Sequence, residues 1–405
     1  MSENLPREIS WMGSIPEDYT VTRLGRLVEH VKKKNKGHLS RNLLSLSYGE
    51  IKQKNIDTAD GLLPESFETY NLIEKHDIVL RLTDLQNDKR SLRSAISTQD
   101  GIITSAYITI RPTKIYPKFL AYYLRLLDNA KVFYSLGSGL RQSLSWDDAK
   151  LIPVVVPPLE KQKRITNQLD RELTEIDSAL SDFNFVEKLV ADKRKAFIDS
   201  FFTKESSQQK IRLRHLVTLN PAVDSNLRDS KDTECTLLPM ESIQFFTPPK
   251  SGVTKKWSEL ISSYSYITPK DIAIAKVTPC FENGKGLLGA DLSKPVFATT
   301  EVTVLRPNIE LIHPNYLALF MQSSLFREPA IASMTGAGGL KRISEQEVLN
   351  TRIPLPTLKN QEQIVKTNLE EISKLKSLVT DINISKRILQ ERKVSLIQNL
   401  LSMSQ

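Results

Sequence analysis

One feature constrains this chain more than any other: it states the same pattern twice. The string SLGSGLRQSLSWDDAKLIPVVVPPLEKQKRI, ending at Ile165, returns as MTGAGGLKRISEQEVLNTRIPLPTLKNQEQI, ending at Ile364. In each copy a glycine-rich loop leads into a short polar helix start, an apolar strand closed by proline, and a long helical run. The echo extends upstream. SAYITIRP, ending at Pro112, matches TTEVTVLRP, ending at Pro307, and KHDIVLRL around Asp77 matches PKDIAIAKV around Asp271. IYPKFLAYYL near Pro117 likewise pairs with IHPNYLALFM near Pro314. The offset drifts only from 194 to 199 across these matches, as a duplication with small loop insertions leaves it. A period near half the chain length is too long for a solenoid of short repeats, so two similar domains are expected.

Length and apolar content allow for two cores. The 405 residues exceed what one hydrophobic core usually serves, and 40% of them are apolar. No run of about 18 uninterrupted apolar residues exists, so no membrane span is expected. The start, MSENLPREIS, lacks the apolar stretch of a secretory leader. Cys235 and Cys280 fall in the same half and are read as reduced, buried thiols, which points to a cytoplasmic protein.

Each half has the same order of elements. VTRLGRLVEH and KIRLRHLVTLN both read as a strand running into a short helix. Short β-branched segments such as DIVL and AYITI follow, separated by Gly, Asn, Asp and Pro. PKFLAYYLRLLDNAKVFYSL and PNYLALFMQSSLFREPAIASM have helical spacing with proline near the start. The fold class expected is α+β: an N-terminal arm over residues 1–20, globular units over 21–158 and 204–357, and helices over 159–203 and 358–405.

The two helices carry the clearest periodicity. Leu169, Leu173, Ile176, Leu180 and Phe183 step by four and three, and Ile372, Leu375, Val379, Ile382 and Leu389 keep the same rhythm, with Lys386 and Lys393 intruding on the seam. Neither run contains Gly or Pro after its opening turn, so each can extend for about 60 Å at 1.5 Å per residue. A helix of that length with one narrow apolar stripe wants a partner helix. The other copy is the natural one, packed antiparallel if a two-fold relates the halves. The alternative is two separate amphipathic helices, each covering its own domain.

The net charge of +9 is unevenly placed. Residues 20–158 carry 21 basic against 14 acidic side chains, whereas 159–203 carry 8 against 9. In the second half, 204–357 carry 18 against 15 and 358–405 carry 8 against 5. A basic globular unit beside a nearly neutral helix suits a polyanion, although a solvated basic surface would have the same composition.

The duplicated glycine loop, the proline-closed strand, the PPLEKQKRI and LPTLKNQEQI openings, the heptad-like helices and the opening WMGSIPEDYTVTRLGRLV together resemble the specificity subunits of type I restriction-modification systems. The resemblance spans nearly the whole chain and implies a non-catalytic reader of double-stranded DNA. Two target-recognition domains, joined by a pair of antiparallel coiled-coil helices with pseudo-two-fold symmetry, would each contact one half of a split, asymmetric site. The helices would act as spacer and dock two methyltransferase subunits, and restriction subunits would join the full complex. S-adenosylmethionine, ATP and Mg2+ would then belong to those partners and no cofactor to this chain. A scaffold or decoy that sequesters methyltransferase subunits without reading DNA is the competing expectation.

Candidate DNA-contacting residues lie first in the glycine loops: Gly137, Gly139, Arg141 and Gln142 in one copy, and Gly336, Gly338, Gly339, Lys341 and Arg342 in the other. Glycine lets backbone approach a phosphate, while Arg and Gln can bond base edges. Lys89, Arg90 and Arg93 form a further basic cluster whose counterpart, around Lys285, is less basic. Arg81 and Lys276 occupy equivalent places after the apolar DIVL and DIAIA segments, and Tyr48 and Lys52 are weaker candidates. Catalytic motifs are missing from the sequence. There is no GxxxxGK[ST] loop, no acidic or amide residue followed by two prolines and an aromatic, and no metal-ligand spacing among the five histidines.

Overall fold

The computed structural model describes residues 8–9, 13–56, 66–87, 92–137, 142–203, 209–224, 233–260 and 264–401. They divide into two compact units, one of residues 1–183 with 384–405, the other of residues 184–383.

The first unit is built on a four-stranded antiparallel sheet in the order Val28–His30, Ile108–Pro112, Ile78–Leu80, Ser94–Ile96. Its apolar alternation faces the helix Pro117–Asn129, whose Phe119, Leu120, Tyr123, Leu124 and Leu127 are fully buried. Proline opens that helix where its missing N–H costs nothing. The proline-closed strand Pro153–Val156 returns to pair with the opening strand Thr20–Arg23, Val154 facing Thr22. A second layer holds two further antiparallel pairs, the hairpin Leu44–Ser47 with Glu50–Gln53, and Asn71–Ile73 with Gly101–Ile103.

The second unit repeats the plan. Its sheet runs Val217–Leu219, Val302–Pro307, Ile272–Ala275, Gly286–Leu288. Arg352–Pro354 pairs with Lys210–Arg212, and the helix Pro314–Gln322 covers the sheet. Here the second layer closes into a continuous four-stranded sheet, Val253–Lys256, Glu234–Leu238, Val296–Ala298, Ser265–Ile267. Among the described residues of the first unit the matching segments meet through the bridge Leu43 to Ile102.

The duplication persists in individual hydrogen bonds. Buried Asp77 receives the Arg111 guanidinium at 2.8 and 2.9 Å and the Glu74 N–H at 2.8 Å. Buried Asp271 receives Arg306 at 2.6 and 2.8 Å and the Thr268 N–H at 2.7 Å. The Tyr123 and Tyr316 hydroxyls donate to the carbonyls of Pro153 and Pro354. The PPLEKQ and LPTLKNQ strings find their reason in two buried glutamines. Gln162 donates to Pro157 O and accepts from Tyr116 N, and Gln361 donates to Pro356 O and accepts from His313 N. Each glutamine satisfies backbone groups that the strand-to-helix turn would otherwise bury unpaired.

The long helices span Leu159–Thr203 and Leu358–Leu401 without interruption. Leu169, Leu173 and Ile176 are buried and Leu180 is half-buried; Leu375 and Ile382 are buried, with Ile372, Val379 and Leu389 half-buried. In the first unit Ile165, Leu169 and Leu173 share a core with Ile397 and Leu401, so the start of one helix meets the end of the other and the pair is antiparallel. Lys393, a seam intruder, is held there by Asp177 at 2.6 Å. In the second unit Ile198 and Phe202 share a core with Val365, and Lys193 pairs with Glu371 at 2.9 Å. Each domain core is thus completed by the far end of the helix that follows the other domain. Cys235 is buried, Cys280 is half-buried, and both thiols are free. Among the described residues no helix is long and apolar enough to cross a membrane, and no cluster of His, Cys, Asp or Glu is placed to hold a metal ion.

Candidate nucleic-acid interface

In the second unit the glycine loop is a hairpin. Thr335–Ala337 pairs with Leu340–Arg342, Ala337 facing Leu340, and the two residues between them are Gly338 at φ +63° and Gly339 at φ +80°. Both central residues of such a turn need positive φ, which only glycine adopts without cost. A Cβ on Gly336 would strike the Leu340 carbonyl. Every residue of both hairpin strands is exposed, while flanking Met334 and Ile343 are buried. Thr278 ties the hairpin down: its Oγ1 donates to Gly339 O and accepts from Lys341 N, both at 2.9 Å. The hairpin therefore presents Lys341 and Arg342 from a fixed base. Glu301 accepts from Arg342 at 2.8 Å; that contact raises the guanidinium pKa and lowers that of the carboxyl.

The first unit arranges its counterpart differently. Gly137 follows the short helix Val132–Leu136, while Gly139 and Arg141 lie outside the described residues, as do Lys89 and Arg90. Gln142 has φ +48°, and its carbonyl accepts from Leu85 N at 3.0 Å. Leu144 N donates to Leu82 O, so this loop closes over residues 82–85. Ser145 then caps the helix Trp146–Ala149 in a reciprocal box with Asp148.

The remaining candidates separate by what they bind. Arg93 is buried, and its guanidinium donates to the carbonyls of Thr83 and Asp84 at 3.0 and 2.9 Å. It shapes the loop from beneath. Lys285 is spent on Met240 O at 2.6 Å. Lys276 is half-buried next to Glu301, its N–H donating to the Glu301 carbonyl. Arg81 is exposed at the end of its strand. Tyr48 and Lys52 are exposed on the Leu44–Gln53 hairpin, Lys52 beside Glu50.

Sequence reasoning missed the basic stretch Lys32, Lys33, Lys34, Lys36. Its only signal was the charge run itself, because the second copy reads LVTLNPAVDS at that place and the repeat gives no echo. The stretch borders a cleft of about 380 Å3 lined by His30, Lys32, Lys34, Thr83, Tyr107 and Trp146, beside the closing loop at Leu144. His30 stacks on Trp146 with centroids 4.8 Å apart. Burial, then Lys32, push the His30 pKa down, while Asp147 acts against them. Lys34 is held by Thr69 O and Asn71 Oδ1, both at 2.9 Å; Lys32 and Lys33 are exposed. Fully buried Asn35 organises the turn, exchanging bonds with Ser40. Lysine, imidazole and a stacking aromatic around one cleft match the donors and ring faces that nucleic acid accepts.

Two duplicated α+β units, each completed by parts of both long helices, define the architecture. Residues 16–180 and 235–391 match the type I restriction modification DNA specificity domain, and the chain belongs to that family. It is 34% identical over 155 residues to the type I restriction enzyme EcoAI specificity subunit of Escherichia coli, a match covering 38% of this chain and 26% of that protein. The chain therefore spans about a quarter of that curated relative's length. It is 20% identical to the type I restriction enzyme MjaVIII specificity subunit of Methanocaldococcus jannaschii, over 96% of this chain and 93% of the relative. A solved chain from work on complex assembly and conformational transition of the type I R-M system shares the fold. Its TM-score is 0.63 at 14% identity, over 95% of this chain and 98% of that one.

Proposed function

We propose that this chain is the sequence-specific, non-catalytic DNA-reading subunit of a type I restriction-modification complex, each domain contacting one half of a bipartite, asymmetric double-stranded site. The observation that carries this reading is a frame conserved to individual hydrogen bonds whose exposed surfaces have diverged. One domain offers His30, Lys32, Lys34 and Trp146 around a cleft, the other a diglycine hairpin with Lys341 and Arg342. Two different surfaces on one scaffold suit two different half-sites. Residues 21–158 and 204–357 are assigned as the target-recognition domains, residues 1–20 as an N-terminal arm, and the helices over 159–203 and 358–405 as spacer and docking surface.

The helices support a partner role through a duplicated feature off the seam. Phe185 and Leu189 on the first, and Ile384 and Ile388 on the second, are exposed apolar side chains one turn apart at equivalent positions. Two equal apolar patches suit two copies of a methyltransferase subunit. Restriction subunits complete the complex in the cytoplasm, and S-adenosylmethionine, ATP and Mg2+ act in those partners.

The test is genome-wide mapping of methylated adenines in a strain expressing this chain with its methyltransferase. Two short, unlike motifs separated by a fixed unread gap are expected. Inserting seven residues at equivalent points of both helices is expected to change the gap and leave both motifs unaltered. A contiguous motif, or a gap indifferent to the insertion, refutes the assignment.

A further inference from the structure

Each unit has a cleft where the two helices meet its globular part, and the duplication relates the two clefts. In the first unit it measures about 600 Å3 and is lined by Tyr122, Arg125, Leu173, Asp177, Lys393 and Ile397. In the second it measures about 800 Å3 and is lined by Arg194, Ile198, Gln322, Ile372 and Lys376 at the corresponding positions. The helix repeat of 199 residues puts Lys376 where Asp177 stands and Arg194 where Lys393 stands. Lys393 and Asp177 form an ion pair on the wall of the first cleft. The second cleft has two cations at those places.

The consequence appears in the arginines. Arg194 donates to the neutral amide oxygen of Gln322 at 3.0 Å and lies 4.8 Å over the Phe245 ring, and its Nε is buried without a hydrogen-bond partner among the described residues. Arg327, on the facing helix Ser324–Ala332, donates to the carbonyls of Phe281 and Glu282 at 2.7 and 2.8 Å. Among the described residues neither guanidinium is ion-paired. Of the carboxylates that line the cleft, Glu328 is paired with Lys195 at 3.1 Å, and Glu187 and Glu282 are the others. Burial lowers the pKa of both arginines, with no carboxylate acting against it. Desolvating a cation without an anion is unfavourable, and a bidentate anion relieves it. Val190, Ile198, Ile331, Leu375 and Val379 give the wall an apolar stretch, and the volume is that of a small-molecule site.

We propose that the second unit's cleft binds a small amphiphilic anion, a carboxylate or phosphate head on an apolar body, with the head between Arg194 and Arg327 and the body along the helix seam. Such a ligand supplies the negative charge that Asp177 supplies in the first unit.

The experiment is calorimetric titration of the full chain with three probes: decanoate, which has head and body; decanol, body alone; and acetate, head alone. One-to-one binding of decanoate is expected, with decanol and acetate at least about tenfold weaker. Arg194→Met removes the head contact, and Lys376→Asp, at an exposed position, installs the internal anion. Each is expected to weaken decanoate by about tenfold or more. If Arg194→Met does not fold, Lys376→Asp decides alone. No decanoate binding at millimolar concentration, equal binding of decanol or acetate, or undiminished binding in a folded variant overturns the proposal.

Discussion

The diglycine hairpin of the second domain allows a sharp test, because its conformation and its chemistry can be perturbed separately. Gly338 and Gly339 hold φ of +63° and +80°, and a Cβ at either would meet nothing within 4 Å. Replacing both by alanine therefore adds no clash, only the cost of holding two L residues left-handed, about 1 to 2 kcal/mol each. The strand pair is three residues long and fully exposed, tied down by Thr278 and the Arg342–Glu301 contact. Backbone bonds from Thr278 N to Lys341 O and from Ile343 N to Lys276 O also hold its second strand, and against these a turn cost of about 2 to 4 kcal/mol lowers the ordered hairpin by roughly 30-fold or more. Gly338→Asn is the control, since Asn-Gly is favoured in this turn. Fluorescence anisotropy with the mapped target duplex is expected to show weakened binding for the double alanine variant and near-native binding for the asparagine variant. Both should melt at the wild-type temperature, because the buried core is untouched. Native affinity in the double alanine variant would refute a role for this hairpin in DNA contact.

Other consequences follow from the same geometry. Lys32→Ala and Lys33→Ala each are expected to lower the slope of log affinity against log salt by about 0.9 if they contact phosphate; an unchanged slope removes them from the interface. Arg306→Ala strands Asp271, which is 1% exposed, and is expected to cost about 3 to 5 kcal/mol in denaturant unfolding. Lys393→Ala breaks a pair whose side chains are 38% and 54% exposed and should cost no more than about 1 kcal/mol; equal costs would contradict this account. His30, with its pKa held below the ordinary 6.5, binds its proton more weakly folded than unfolded. Its contribution to stability is therefore complete above pH 6.5 and declines as pH falls from there through the folded value. His30→Gln should remove that part of the pH dependence, along with any gain in DNA affinity on acidification; identical profiles in variant and wild type would exclude it.

The architecture was legible where the sequence repeats or keeps a period. The three-and-four stepping of Leu169, Leu173, Ile176 and Leu180 marks side chains the structure buries or half-buries, because a long helix has one economical way to hide an apolar stripe. The candidate cations were less readable, since a lysine or arginine in a polar string does not reveal what it bonds. Arg93 and Lys285 serve backbone carbonyls contributed by loops that only the tertiary fold brings near. Gln162 and Gln361 look like ordinary surface glutamines in sequence, yet both are buried anchors. The lysine run after His30 has no echo in the second copy, which reads LVTLNPAVDS there, so the repeat gives no signal for it.

One feature bears on how the chain matures. Ile397 and Leu401 sit in the same core as Leu24, Ile78 and Phe119, so the first domain emerges from the ribosome with part of its interior still unsynthesised. The core that holds Leu169 and Leu173 is complete only when Ile397 and Leu401 arrive. The earlier half of the protein is thus the later to mature, and chaperone demand during translation should concentrate on it.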